Sequence, residues 1–171
     1  FKPYSMNPLM ETKEATLVFL SEADKILMIY RDKNPQDFLY GKWTPPGGKL
    51  ERAETLEECA KREFYEETNL QICNLIYRGK VLFDNAERTF GGRPAKYNWM
   101  VHIYETSVYQ GQLKTSSREG TPRLVSESEL ATLPMEVGDG TILRMLKSPE
   151  EIAIRIIHIG TRFDRYEQLV S

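Results

Sequence analysis

Four side chains in one short stretch, Arg62, Glu63, Glu66 and Glu67, have the types and spacing to do chemistry. The segment "LEECAKREFYEET" contains no Gly or Pro, and Thr55 followed by Glu58 has the spacing of a capping box, in which each side chain satisfies the other residue's free amide. The spacing therefore predicts a helix starting at Thr55. Asn69 is placed to end it, because Asn tolerates the left-handed conformation that closes a helix and Leu70 can then pack back on the last turn. At about 100° per residue, Leu56, Cys59, Ala60 and Phe64 share an apolar arc, and Glu57, Glu58, Lys61, Tyr65 and Thr68 lie mostly on the other side. Glu63 and Glu67 fall inside the apolar arc, about 40° apart, with Glu66 at its edge.

A Glu-rich helix is ordinarily a solvated face, but here other residues already supply that face. Carboxylates held against a core repel one another, and each must take up a proton or find a cation. Arg62 can serve one of them and cannot neutralise three. A divalent ion resolves the conflict, and an all-oxygen donor set favours magnesium, with manganese as a substitute, over zinc. Magnesium takes few protein carboxylates and leaves positions for substrate phosphates. The chemistry this implies is cleavage of a phosphoanhydride by an activated water, with a carboxylate as base. No Ser, Cys or His nucleophile is required. His102 and His158 lie in strand-like segments without a triad around them and are expected to be structural.

Other segments must position this helix. "ATLVFL" (Ala15 to Leu20) and "KILMIY" (Lys25 to Tyr30) flank "SEAD" as a hairpin of buried strands. "WTPPGG" brings the chain rigidly to the helix, since proline fixes φ and glycine permits turns that other residues resist. After Leu70, "LIYRGKVLF" and "YNWMVHIYET" are strand-like, with "DNAERTFGGRPAK" expected as a loop between them. "YQGQLKTSSREGTPR" reads as exposed and turn-rich. A short strand "RLV" precedes a brief helix with Ser126 and Glu129 at capping-box spacing. A further helix is expected from Thr141 to Lys147, with Asp139 or Gly140 near its start, and the tail reads as a hairpin about Gly160. The mix of strands and few helices indicates one α/β or α+β layered domain.

The chain has 171 residues, 40% of them hydrophobic, enough for one domain with its own core. Its net charge of −2 gives no electrostatic reason to bind a nucleic acid polymer or an anionic membrane, and neither is expected as a partner. Cys59 and Cys73 lack metal-ligand spacing and are expected to be free thiols in a reducing, cytoplasmic setting. No stretch approaches the roughly 20 apolar residues of a membrane-spanning helix. Residues 1–9, which open on "FKPYS" ahead of Met6, are expected to be an appended remnant or a disordered N-terminus, and residues 10–171 one domain.

The stretch from Gly48 to Leu70 also resembles a known family pattern. Gly48, Glu54, Arg62, Glu63, Phe64, Glu66, Glu67 and Leu70 stand at the spacing of a Nudix box, with Asn69 where the family usually has Gly. The resemblance implies an α/β/α sandwich around a mixed sheet and magnesium-dependent hydrolysis of nucleoside diphosphates linked to another moiety. It makes Glu63, Glu66 and Glu67 metal ligands, adds the Gly47 carbonyl, and gives Arg62, helped by Glu54, the task of orienting the acids. Weaker similarity extends to the MutT-type branch, including the oxidised-purine triphosphatases. It implies hydrolysis of a nucleoside triphosphate, such as 8-oxo-dGTP or another oxidised purine deoxynucleotide, to monophosphate and pyrophosphate by attack at the β-phosphorus, in the service of nucleotide-pool sanitation.

On this resemblance Glu119 is a candidate ligand or base, or else an exposed loop residue. Glu63, Glu67 and Glu119 are the candidates to activate water. Asp139 falls at a base-recognising position, with helix capping as its rival role. Thr44 stands where that branch has a base-contacting Asn, and the branch's stacking Trp has no equivalent near "MEVGDG". Arg31 and Lys49 are candidates for phosphate oxygens or solvated surface charges, and Phe38, Phe90 and Trp99 for stacking on a base or for the core. The alternatives are a Nudix pyrophosphatase acting on a nucleotide sugar or dinucleoside polyphosphate, and a non-catalytic nucleotide-binding module. A monomer or homodimer is expected.

Overall fold

A computed structural model describes residues 10–170; the expected appendage at residues 1–9 lies outside the described residues. A long strand β1 (Thr12–Glu22) turns through Ala23 and Asp24 into β2 (Lys25–Tyr30), as the two apolar runs predict. Two short strands, β3 (Trp43–Thr44) and β4 (Gly47–Lys49), lead into helix α1 (Leu56–Thr68). Then follow β5 (Gln71–Cys73), β6 (Ile76–Phe90), β7 (Arg93–Pro94), β8 (Asn98–Thr106), β9 (Val108–Gln110) and β10 (Thr121–Ser126). The chain finishes with α2 (Glu127–Leu130), α3 (Val137–Met145) and the hairpin β11 (Ile152–Gly160) and β12 (Arg162–Gln168). Among the described residues no helix is long and apolar enough to cross a membrane.

The main sheet runs β10-β2-β1-β8-β6-β11-β12. It is mixed, because β1 lies parallel to β8 and β6 parallel to β11 while the other neighbours are antiparallel. Successive side chains on a strand point to opposite faces. Val18 and Leu20 of β1 accordingly join Leu27, Ile29, Ala60, Phe64 and Leu70 beneath α1, and Phe19 joins Val81, Ile103, Ile142, Ile154 and Ile156 beneath α3. The result is the α/β/α sandwich expected from the sequence. Phe64, completely buried, pins α1 to its face; truncating such a side chain typically costs about 3–5 kcal/mol.

The caps of α1 are as predicted: Thr55 and Glu58 form a reciprocal capping box, and Asn69 closes the helix with φ 66° and ψ 14°. The Thr55–Asn69 frame therefore fixes where each acid on the helix points. Cys59 and Cys73 are both free thiols.

Four expectations need correction. Thr68 is buried rather than on the outer side, its hydroxyl donating to the Phe64 carbonyl at 2.6 Å and accepting from the Leu70 amide at 3.1 Å. The expected loop "DNAERTF" is strand, because β6 keeps pairing with β11 past an irregularity and then turns into β7 through Gly91 and Gly92. Both glycines have positive φ, which a tight two-residue hairpin turn requires. The strand β5, paired with β9, was not expected. Finally, α3 begins at Val137 rather than Thr141, which puts Asp139 inside the first turn and gives the cap position to Glu136, without a side-chain capping bond. Gly138 lowers helix propensity, but a Cβ there would meet Phe83 at 3.1 Å and Ile156 at 3.3 Å, so its bareness lets the helix lie close on the sheet.

Candidate active site

The approach to α1 is as tight as its sequence suggests. β4 pairs antiparallel with β1, setting Gly47 opposite Leu17 and Gly48 opposite Thr16. A Cβ on Gly47 would stand 2.1 Å from the Thr16 carbonyl oxygen, and one on Gly48 would stand 2.2 Å from the Glu63 carboxyl carbon. At Gly47 only glycine permits so close an approach to backbone, whereas at Gly48 a methyl group would require the end of the Glu63 side chain to move. The Gly47 amide donates to Glu67 Oε2 at 3.1 Å, so the loop and the helix meet at a carboxylate.

Arg62 organises the acids on its side of the helix. Its Nε donates to Glu54 Oε1 at 2.5 Å, its Nη1 to Glu63 Oε1 at 2.7 Å, and its Nη2 to Glu54 Oε2 at 3.1 Å and the Lys49 carbonyl at 3.0 Å. Glu66 and Glu51 lie farther off, at 3.5 and 3.6 Å. The hydrogen bond to Glu54 is the first cause holding the guanidinium above its ordinary range, and in return Arg62 depresses the Glu54 carboxyl. Arg62 thus fixes Glu63 in direction, with Glu54 as its anchor.

Glu67 is in the opposite situation. It is only 6% exposed, and burial first of all, reinforced by the charges of Glu63 and Glu119, pushes its carboxyl up to about 8; the Gly47 amide and Arg31 oppose the rise. Glu63 is also raised by burial, with Arg62 counteracting and Glu66 and Glu119 adding to the rise. The same acids that the helical arithmetic placed against the core are those whose negative charge the fold makes costly. Glu66 differs, since its side chain is 56% exposed at the helix edge.

Glu119 is brought to this group from the segment before β10. It is half exposed and pairs with Arg31 at 3.2 Å, yet its charge bears on both Glu63 and Glu67. Arg31 is shared with Asp37 at 2.8 Å. Lys49 is exposed, its ammonium 5.8 Å from the Trp99 ring centre. Thr44 is buried on β3 opposite Ile29. Asp139 is recessed on α3, its carboxyl raised to about 7 by burial and by Glu136, against the pull of Arg88 and Lys42. Trp99 packs against the core on the α3 side, whereas Phe38 is exposed and meets Phe90 edge-on at 4.7 Å.

The donor set suits a hard divalent cation: carboxylate oxygens with no sulfur or imidazole among them. The buried, proton-favouring Glu67 is the side chain that would gain most from one. Among the described residues no three acidic, His or Cys side chains converge into a ready-made cage. A 670 Å³ cavity lies elsewhere, between α2 and α3, and its lining includes none of Glu63, Glu66, Glu67 and Glu119.

The histidines are as expected. His102 bridges Glu14 at 3.0 Å and Tyr77 at 2.9 Å, and His158 is buried against Phe163, with burial lowering its pKa to about 4. Sequence reasoning misses Arg88, a buried cation on β6 within reach of Glu136, because the polar residues around it read as a loop.

Comparison with known proteins gives the family and the fold. The NUDIX domain model matches residues 11–146. The chain belongs to the Nudix family. Among relatives, an uncharacterised Nudix hydrolase, YvcI of Bacillus subtilis, is 30% identical over 131 residues, covering 77% of each chain. The mouse oxidized purine nucleoside triphosphate hydrolase is 32% identical over 108 residues; the match covers 63% of this chain and 62% of the mouse protein. Among solved structures, a MutT protein from Bacillus halodurans superimposes with a TM-score of 0.77 at 24% identity, over 91% of this chain and 96% of its own, which establishes the shared fold. Nudix hydrolases generally use divalent metal ions and act on nucleotide small molecules.

Proposed function

We propose that this Nudix hydrolase cleaves nucleoside triphosphates to a monophosphate and pyrophosphate with magnesium, manganese substituting, and that oxidised purine deoxynucleotides such as 8-oxo-dGTP are its substrate class, a role in nucleotide-pool sanitation. The observation that carries the reading is Glu67: a carboxylate made unfavourable by burial and by two acidic neighbours, yet held at the mouth of the glycine loop by the Gly47 amide. Glu63, Glu66, Glu67, Glu119 and the Gly47 carbonyl would hold the ion. When bound, it supplies neutralisation of the phosphate charge and acidification of water.

The remaining work falls to side chains. Arg62, tied to Glu54 and the Lys49 carbonyl, holds the Glu63 carboxylate in one orientation. Glu67, Glu63 or Glu119 accepts the proton of the attacking water, and burial raises the carboxyls of Glu67 and Glu63 and so strengthens them as bases. Arg31 can exchange its contact with Glu119 for a phosphate oxygen, and Lys49, exposed at the surface, can approach another. The buried Thr44 and recessed Asp139 lie on the segments that would meet the base. The mouse relative's name supports the triphosphate reading.

A second substrate class, another nucleoside diphosphate derivative, is favoured by one observation: Thr44 stands where the oxidised-purine branch has Asn. A panel of oxidised and normal purine triphosphates, ADP-ribose, NADH and diadenosine compounds, with magnesium and resolved products, separates the two. Turnover confined to non-triphosphates would replace the leading reading, and no turnover on any compound would favour a binding module.

A further inference from the structure

Two arginines of this fold are equally buried, at 8% exposure, and they are treated very differently. Arg78 pairs with Glu105 at 2.6 Å and also donates to the carbonyls of Leu146, Ser148 and Glu150, so its donors are used within the protein. Arg88 has no such arrangement. Its guanidinium carbon lies 4.7 Å from the Phe90 ring centre and 5.3 Å from that of Phe38, its Nη2 is 3.5 Å from Glu136, and its Nε has no hydrogen-bond partner. Nearby, His158 Nδ1 and Glu136 Oε1 are also buried without a hydrogen-bond partner among the described residues. Buried polar atoms are almost always satisfied, and leaving one bare costs stability, so such a cluster asks for polar groups from outside the chain, among them an acceptor for Arg88 Nε.

The surroundings restrict what that acceptor belongs to. Glu136 already balances the charge of Arg88, and Asp139 adds a second acidic group beside it, so a further anion is disfavoured. Phe38, exposed and set edge-on to Phe90, offers a flat apolar face beside Arg88. A neutral planar ring with a carbonyl oxygen on its edge fits both features. The segment that carries Phe38 runs from Arg31 to Lys42, closed by the Arg31 amide donating to the Lys42 carbonyl. One end reaches Glu119 beside the catalytic acids, and the other reaches Glu136 beside Arg88. A ligand with phosphates at α1 can thus have its far end here.

We propose that Arg88 is a specificity-determining residue that donates to the 6-keto oxygen of a purine, selecting 6-oxopurine nucleotides over 6-aminopurine ones. This rests on the nucleotide reading of the site and narrows it, since oxidised guanine keeps a 6-keto group and oxidised adenine keeps a 6-amino group. An amino group would set donor against donor at Arg88. Lysine would keep the charge and lose the guanidinium's fork of donors.

The test is equilibrium binding of GMP, IMP and AMP to the intact protein with magnesium, repeated on Arg88→Lys and Arg88→Gln after thermal melts confirm folding. GMP and IMP are expected to bind at least about tenfold more tightly than AMP, and both variants to bring them down to the AMP level. Equal affinities in the parent, no binding of any of the three, or a preference that survives in a folded variant would overturn the assignment. If neither variant folds, the three-ligand series on the parent still decides. Triphosphate turnover is scored separately: turnover without base preference removes this inference alone, and preference without turnover removes the catalytic reading alone.

Discussion

Replacing Glu67 by Gln should change how stability depends on pH, by an amount the structure sets. The folded-state carboxyl is pushed up to about 8 from an ordinary value of 4.5, while in the unfolded chain it ionises near the ordinary value. Between those values the folded state binds more protons than the unfolded state, so without a divalent ion stability falls as pH rises, until the folded group has itself titrated near pH 8. At ~1.4 kcal/mol per pH unit, flattening towards the top of the window, the interval from pH 6 to 8 costs about 2 kcal/mol. In a domain of this size that is about 4–8 °C in Tm. Gln can still accept from the Gly47 amide but cannot ionise, and Glu63 is common to both proteins. Thermal melts in chelator at pH 6, 7 and 8 should therefore show the parent losing that much more than Glu67→Gln, and excess magnesium at pH 8 should raise the parent more than the variant. Parallel curves for the two proteins would refute the claim that Glu67 is held against its own charge.

Three further outcomes follow from the same geometry. Gly48→Ala places a methyl group against the end of the flexible Glu63 side chain, so the protein should fold with a stability change within about 2 kcal/mol while turnover drops about 100-fold, as a thermal melt and a pyrophosphate-release assay would show. Arg62→Lys cannot reach Glu54 and Glu63 together; initial-rate titrations should show a magnesium requirement raised about 10- to 100-fold. Thr55→Ala removes the acceptor for the Glu58 amide and should cost about 1 kcal/mol by urea unfolding with kcat unchanged, since the cap lies two turns before Glu63.

Much of the site was legible because its signals are local. The Thr55–Glu58 cap and the Asn69 stop depend on neighbours in sequence, and the position of Glu63 and Glu67 among apolar residues follows from helical arithmetic alone. What failed depended on partners far away in sequence. Polar residues in "DNAERTF" look like a loop until β11 and β7 are there to pair with them. Gly138 argues against a helix until Phe83 and Ile156 show why a bare backbone suits that spot. Thr68 falls on the outer arc of an ideal helix, but the turn at Asn69 folds the chain back over it. Arg88 was hidden for the same reason as its strand, since nothing within a few residues of it reveals that Phe38 and Glu136 will enclose it.

The central claim, that acids fixed on one helix direct water at a phosphoanhydride, is tested most directly by hydrolysing 8-oxo-dGTP in ¹⁸O-water with magnesium and locating the label. Label in pyrophosphate, with unlabelled monophosphate, and loss of that turnover in Glu67→Gln are the predicted result. Release of orthophosphate with a nucleoside diphosphate, or undiminished turnover by Glu67→Gln, would contradict it.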